Sequence, residues 1–178
     1  MKSLNDEFVF EKIKHKKNGH GLFPGQKRLE RSFLFQNTVG FRCAHCRAYI
    51  CSSQTLCGVE NRNHCPYCLW SRHVDLNMPG DRLASCKAPM LPIGLCIKQL
   101  VKKYGVGQGE LMIIHQCSDC RSYSINRIAA DDDAENLYRI YLASFRLGAE
   151  RLMDLQSRDI TPLNDSQTDL VKTGLFGR

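Results

Sequence analysis

The spacing of apolar residues changes several times along the chain, and each change predicts a different element. From Ser32 to Ile50, Phe33, Phe35, Phe41, Tyr49 and Ile50 flank a Cys-Ala-His-Cys turn, which reads as short aromatic strands on either side of a knuckle. Arg72 to Asp75 alternates like a short strand, and Met78 to Arg82, MPGDR, is a turn built on Pro79 and Gly80. Met90 to Val101 is apolar enough for a strand pair or a short helix, although Pro92 and Gly94 argue against helix at its start. Glu110 to Gln116, ELMIIHQ, is the best strand, and it runs directly into Cys117-Ser-Asp-Cys120.

Beyond three consecutive aspartates, Asp131 to Asp133, the period lengthens to that of a helix. Leu137, Ile140, Tyr141, Phe145, Leu152 and Leu155 predict one amphipathic helix over about 134–157, weakened at Gly148 and capped by Asp132 or Asp133. Residues 1–31 have no sustained period and read as an irregular basic arm, and residues 158–178 read as a polar, frayed tail. The expected fold is a small β-rich, zinc-ribbon-like α+β domain over 32–133 with two zinc sites, a basic arm before it and the helix after it.

The cysteines give this pattern its chemistry. Cys43 and Cys46, Cys65 and Cys68, and Cys117 and Cys120 are three Cys-x2-Cys pairs. The first two stand 18 residues apart, the spacing of a four-cysteine zinc site with no ligand position left open. Cys86, Cys117 and Cys120 make three ligands of a second site. His73 is favoured as the fourth because it and Cys86 bracket the MPGDR turn, with Asp75 or Asp81 expected to orient its ring. His115 competes, since a strand puts positions 115 and 117 on one face, and His64 is a third choice. Cys51 and Cys57 do not match the pair spacing and are expected to be non-ligands; Cys96 has no assigned role. No apolar run matches a signal peptide or a membrane span, so a reducing cytoplasm is the expected compartment, where such pairs hold metal.

Charge points to a polyanion. Residues 1–42 carry nine Lys/Arg against four Asp/Glu, residues 43–130 ten against five, and residues 131–178 six against nine. Arg62, His64, Arg72, Arg82 and Arg127, with Lys14, Lys16 and Lys17 of the arm, are the candidate RNA contacts. Structured RNA, ribosomal RNA above all, is the expected partner of a non-catalytic zinc module. A protein-protein adaptor in transcription or translation, working through helix 134–155, is the alternative; ribosomal proteins are the further partners expected at that helix. A metal-dependent hydrolase or nuclease built on His64, His115, Asp75 or Asp131 to Asp133 is the second alternative. No membrane and no small-molecule substrate is expected. The His-x-Glu and Pro-Cys-x2-Cys layout of zinc deaminases is absent.

The string Arg62-Asn-His-Cys-Pro-Tyr-Cys-Leu-Trp-Ser-Arg-His-Val-Asp75, followed by PGDR, Cys86, GELMIIHQC-x2-C and NRIAADDD, resembles the bacterial RNHCP domain. The resemblance covers roughly Phe33 to Asp133. It implies a small cysteine-rich domain that binds zinc, and it marks Arg62, Asn63, His64, His73, Asp75, Asp81, Arg82, His115, Asn126 and Arg127 as motif residues. Arg47 and Arg121 stand where the family's knuckles favour glycine, which suggests less tightly turned knuckles here.

Overall fold

A computed structural model describes residues 40–99 and 109–177. The basic arm with Lys14, Lys16 and Lys17, and residues 100–108, lie outside the described residues. Two sheets form. A small hairpin pairs β1 (Gly40–Arg42) with β2 (Tyr49–Cys51) around the first knuckle, and a short helix α1 (Gln54–Cys57) follows. The main sheet is antiparallel in the order β3 (Ser71–Arg72), β4 (Pro89–Lys98), β5 (Glu110–Cys117), β6 (Tyr123–Arg127).

Met90 to Lys98 is thus one long strand, and Pro92 and Gly94 have local uses within it. The β4–β5 register shifts between them, and along β4 the strand β3 reaches only Pro89 and Met90, so the missing N–H of Pro92 breaks no second ladder. A Cβ on Gly94 would lie 2.9 Å from the Cβ of Ser144, so glycine lets a helix end approach the strand.

The main sheet is covered on both faces. Leu95 and Ile113 pack with Leu69, Leu137, Tyr141, Leu163 and Val171, whereas Met112, Ile114, Ile93 and Cys96 pack with Leu155. Burial on two sides explains why β5 reads as a continuous apolar run instead of alternating. It also accounts for a difference from the single helix expected over 134–157. The chain forms α2 (Ala134–Ser144) and α3 (Ala149–Gln156), with Gly148 as the extended N-cap residue of α3. A single straight helix would not deliver Leu137 and Tyr141 to one cluster and Leu155 to the other; the break does.

The polar tail differs as well. Asn164 and Gln167 form a reciprocal capping box on a short 3-10 turn, which leads into α4 (Thr168–Phe176). Val171 of α4 is fully buried, and a Cβ on Gly174 would lie 2.6 Å from Leu111 Cδ1, so this helix is part of the core layer and not a frayed end.

Candidate metal centres

Each Cys-x2-Cys pair sits in the same hairpin turn. The Cys43 amide donates to the Ala48 carbonyl at 2.9 Å, Cys65 to Trp70 at 2.9 Å, and Cys117 to Ser122 at 2.8 Å. The residue after each pair is left-handed: Arg47 at φ 65°, Leu69 at φ 60° and Arg121 at φ 63°. Contrary to the expectation from their missing glycines, the knuckles at Arg47 and Arg121 keep the full turn. Their side chains accept a conformation that costs about 1 kcal/mol or somewhat more.

Cys43, Cys46, Cys65 and Cys68 converge, with every pair of ligand atoms within 4.8 Å. The Sγ atoms of Cys43 and Cys68 are 3.5 Å apart, as are those of Cys46 and Cys65. Zn–S bonds of about 2.3 Å arranged tetrahedrally give S–S edges of about 3.8 Å, so the cradle fits zinc. Thiol chemistry points the same way. Hydrogen bonds from Cys65 and Cys68 push Cys43 far down, while Cys65 is raised to about 12 and Cys68 further, chiefly by their bonds to Cys43. One thiolate is favoured at its neighbours' expense, so ionising all four calls for a cation at their centre.

The second cluster is His73, Cys86, Cys117 and Cys120, again within 4.8 Å. Cys86 and Cys117 Sγ are 3.5 Å apart, and His73 Nδ1 lies 3.3 Å from Cys120 Sγ. Burial raises Cys117 to about 11. At Cys120 burial acts the same way but is outweighed by hydrogen bonds from Ser122, Cys117 and Cys86, which bring it to about 6. This centre is more open than the first: His73 and Cys86 are half-buried and Cys120 is exposed. Two metal centres of four protein ligands each are therefore present among the described residues.

His115, the competing ligand, belongs to neither centre. Its Nε2 is 2.7 Å from the Leu69 carbonyl and its Nδ1 is 2.9 Å from Asn126 Nδ2, so the imidazole donates to the first and accepts from the second. Burial and the neighbouring His64 lower it to about 3 against the pull of the Leu69 carbonyl, and it stays neutral. The expected orienting carboxylates are engaged elsewhere: Asp81 accepts from the amides of Leu76, Asn77, Met78 and Leu83, and Asp75 accepts from Arg82. The hydroxyl of Ser122, 3.4 Å from His73 Nε2 and 3.0 Å from Cys120 Sγ, is the polar group beside the His73 ring. Serine two residues beyond a Cys-x2-Cys pair was the available signal for it.

Arg62 and His64 are buried between the first centre and α2. Arg62 Nη1 donates to both oxygens of Asp131, at 2.7 and 2.8 Å, and its Nη2 donates to Asp132 at 3.0 Å. Burial opposes the guanidinium charge, but the bond and field of Asp131, with Asp132 behind it, more than offset that and hold Arg62 protonated. His64 Nε2 lies 2.8 Å from Asp132 Oδ2, which also accepts the Ala129 amide at 2.7 Å. The third aspartate, Asp133, is the helix cap, accepting from the Asn136 amide at 2.9 Å. Arg62 and His64 thus hold the loop before α2 and are not surface contacts.

Of the other candidate contacts, Arg72 donates to the Lys87 carbonyl at 2.6 Å, Arg82 lies 3.6 Å from Asp75, and Arg127 lies 3.2 Å from Glu110. Arg42, Arg47 and Arg121, which are not among the RNA contacts expected from the sequence, are exposed on or beside the knuckles. Cys57 is buried with its thiol on the Val59 carbonyl at 3.3 Å. Cys96 sits in the core, where burial raises it to about 11. Among the described residues, neither they nor Cys51 join a metal cluster.

A family model for the RNHCP domain matches residues 38–138, more than half of the 178. The chain belongs to the RNHCP domain family. The match begins just before the first hairpin and ends within α2, so it takes in both metal centres and the Arg62–Asp132 cluster. No curated protein and no solved structure matches the chain.

Proposed function

We propose that this RNHCP protein is a non-catalytic module of a reducing cytoplasm, whose two zinc ions stiffen a platform that binds structured RNA, with ribosomal RNA as the most abundant target. The distribution of charge carries this reading. Residues 1–130 hold nineteen Lys/Arg against nine Asp/Glu, and Arg42, Arg47, Arg121, Lys87 and Lys98 are exposed around the metal centres and the main sheet. A rigid surface of this kind suits backbone and shape contacts with folded RNA. Four protein ligands at each centre give zinc a structural coordination. His115, His64 and Asp132, which a nuclease would need at a surface, are buried in satisfied polar contacts. Seven of the ten cysteines converge as metal ligands, a use of thiolates that suits a reducing compartment.

Sedimentation of cell extract through sucrose tests this function. The protein should travel with ribosomal or other RNA-bearing fractions at low salt and leave them at high salt. Absence from those fractions at low salt would sink the reading.

A second reading, a protein adaptor in transcription or translation, is favoured by α2 and α3. Phe145, Leu152 and Met153 are 43%, 40% and 64% exposed there. Charge reversal at Arg47 and Arg121 distinguishes the two, because it should weaken RNA association and leave an adaptor contact intact.

A further inference from the structure

The only tryptophan of the chain stands in an unusual setting. Trp70 directly follows the second knuckle, and the ring of His45, from the tip of the first knuckle, lies parallel to it with centroids 4.3 Å apart and planes 6° apart. Both ends of this stack are tied to the first metal centre: His45 stands between Cys43 and Cys46, and the Trp70 carbonyl accepts the Cys65 amide at 2.9 Å. His45 is exposed, and Trp70 is half-buried beneath it.

We propose that the His45–Trp70 stack is the seat for one unpaired base of the bound RNA, an inference that rests on the RNA reading above. Flat aromatic surfaces accept any base by its π-face, and unpaired bases in loops and bulges are the parts of a folded RNA that splay out to reach one. Three local features fit a base in particular. Arg42 and Arg47 are exposed on the same lobe, where they give a phosphate next to the stacked base cationic partners against the net negative charge of a zinc ion held by four thiolates. The cleft beside the stack is lined by Phe41, Asn63, Ser71 and Pro89 with the two rings, and it has room for about one water, about 10 Å³. Asn63 Oδ1 is buried without a hydrogen-bond partner, an acceptor that a base N–H can satisfy through one bridging water. The knuckle of the second centre lacks this character, because Asp119 occupies the place that His45 has in the first.

The test uses two RNA hairpins that differ only in one bulged 2-aminopurine, titrated with the zinc-loaded full chain at moderate salt. The bulged hairpin should bind about tenfold more tightly, with quenching of Trp70 emission and a change in 2-aminopurine emission. His45→Ala should remove that preference while native mass spectrometry still counts two zinc ions, and His45→Phe should restore it. Equal affinity of the wild-type chain for both hairpins, or a preference that survives His45→Ala, overturns the stacking site and leaves RNA binding standing. Binding to neither hairpin overturns both readings.

Discussion

Arg47, Leu69 and Arg121 share one backbone conformation at the end of three knuckles, and substitution should separate their roles. Glycine enters the left-handed region without the Cβ clash, so Arg47→Gly and Arg121→Gly should each stabilise the zinc-loaded protein by about 0.5–1 kcal/mol, net of the entropy glycine adds to the unfolded chain. Leu69→Gly should do the reverse and cost at least about 3 kcal/mol, because Leu69 is fully buried in the largest core cluster. Urea midpoints at saturating zinc check all three. A larger loss is expected at Asp132, whose side chain is fully buried against Arg62, His64 and the Ala129 amide. Asp132→Asn turns one acceptor into a donor facing donors and should cost about 3–5 kcal/mol, whereas Asp132→Leu combined with Arg62→Met should cost less than the two single changes added together.

At the scale of elements, the second metal centre is assembled from three of them: the segment after β3, the isolated Cys86 and the knuckle after β5. His73→Ala should lower the zinc count from two to one in native mass spectrometry, while His115→Ala, although destabilising, should leave it at two. The loop between His73 and Cys86 is held by Asp81, whose carboxylate is kept well below its usual range by the amides of Met78, Leu76, Asn77 and Leu83. A depressed carboxylate stabilises the folded loop above its unfolded pKa of about 4, and that contribution is lost as pH falls further. Asp81→Asn should therefore speed hydrogen exchange of those four amides at neutral pH, and its difference from the wild type should shrink as pH drops below about 4. Metal spacing and strand runs were legible in sequence because ligand chemistry and two-residue alternation are local. The break at Gly148 and the docking of α4 were not, since they depend on which face of a sheet a distant side chain must fill. The Asn164 and Gln167 capping box was a local signal, but the polar composition around it obscured the helix that follows.

Across the whole molecule, stability is divided unequally between metal and core. Among the described residues, the apolar packing around the first centre is Phe41 and Ile50 with the ligands Cys43 and Cys65, joined by the partly buried Ala48 and Cys68, too little to hold a lobe without its ion. The main sheet has large apolar clusters on both faces, built partly from α2, α3 and α4. Chelation should therefore not unfold the chain in one step. With both ions removed at neutral pH under reducing conditions, the first lobe should open while far-UV helix signal is largely retained. Trp70 reports this directly, because its stacking partner His45 is carried on the knuckle that opens. Its emission should shift to longer wavelength on chelation and return when zinc is added back. Truncation after Gln156 provides the converse: it removes Leu163 and Val171 from the core, so it should erode the helix signal and the thermal transition even at saturating zinc. If chelation and truncation instead gave the same single, concerted loss of Trp70 and helix signals, the Arg62–Asp131–Asp132 cluster would be coupling the lobe to the helical layer more tightly than the sizes of the two cores imply.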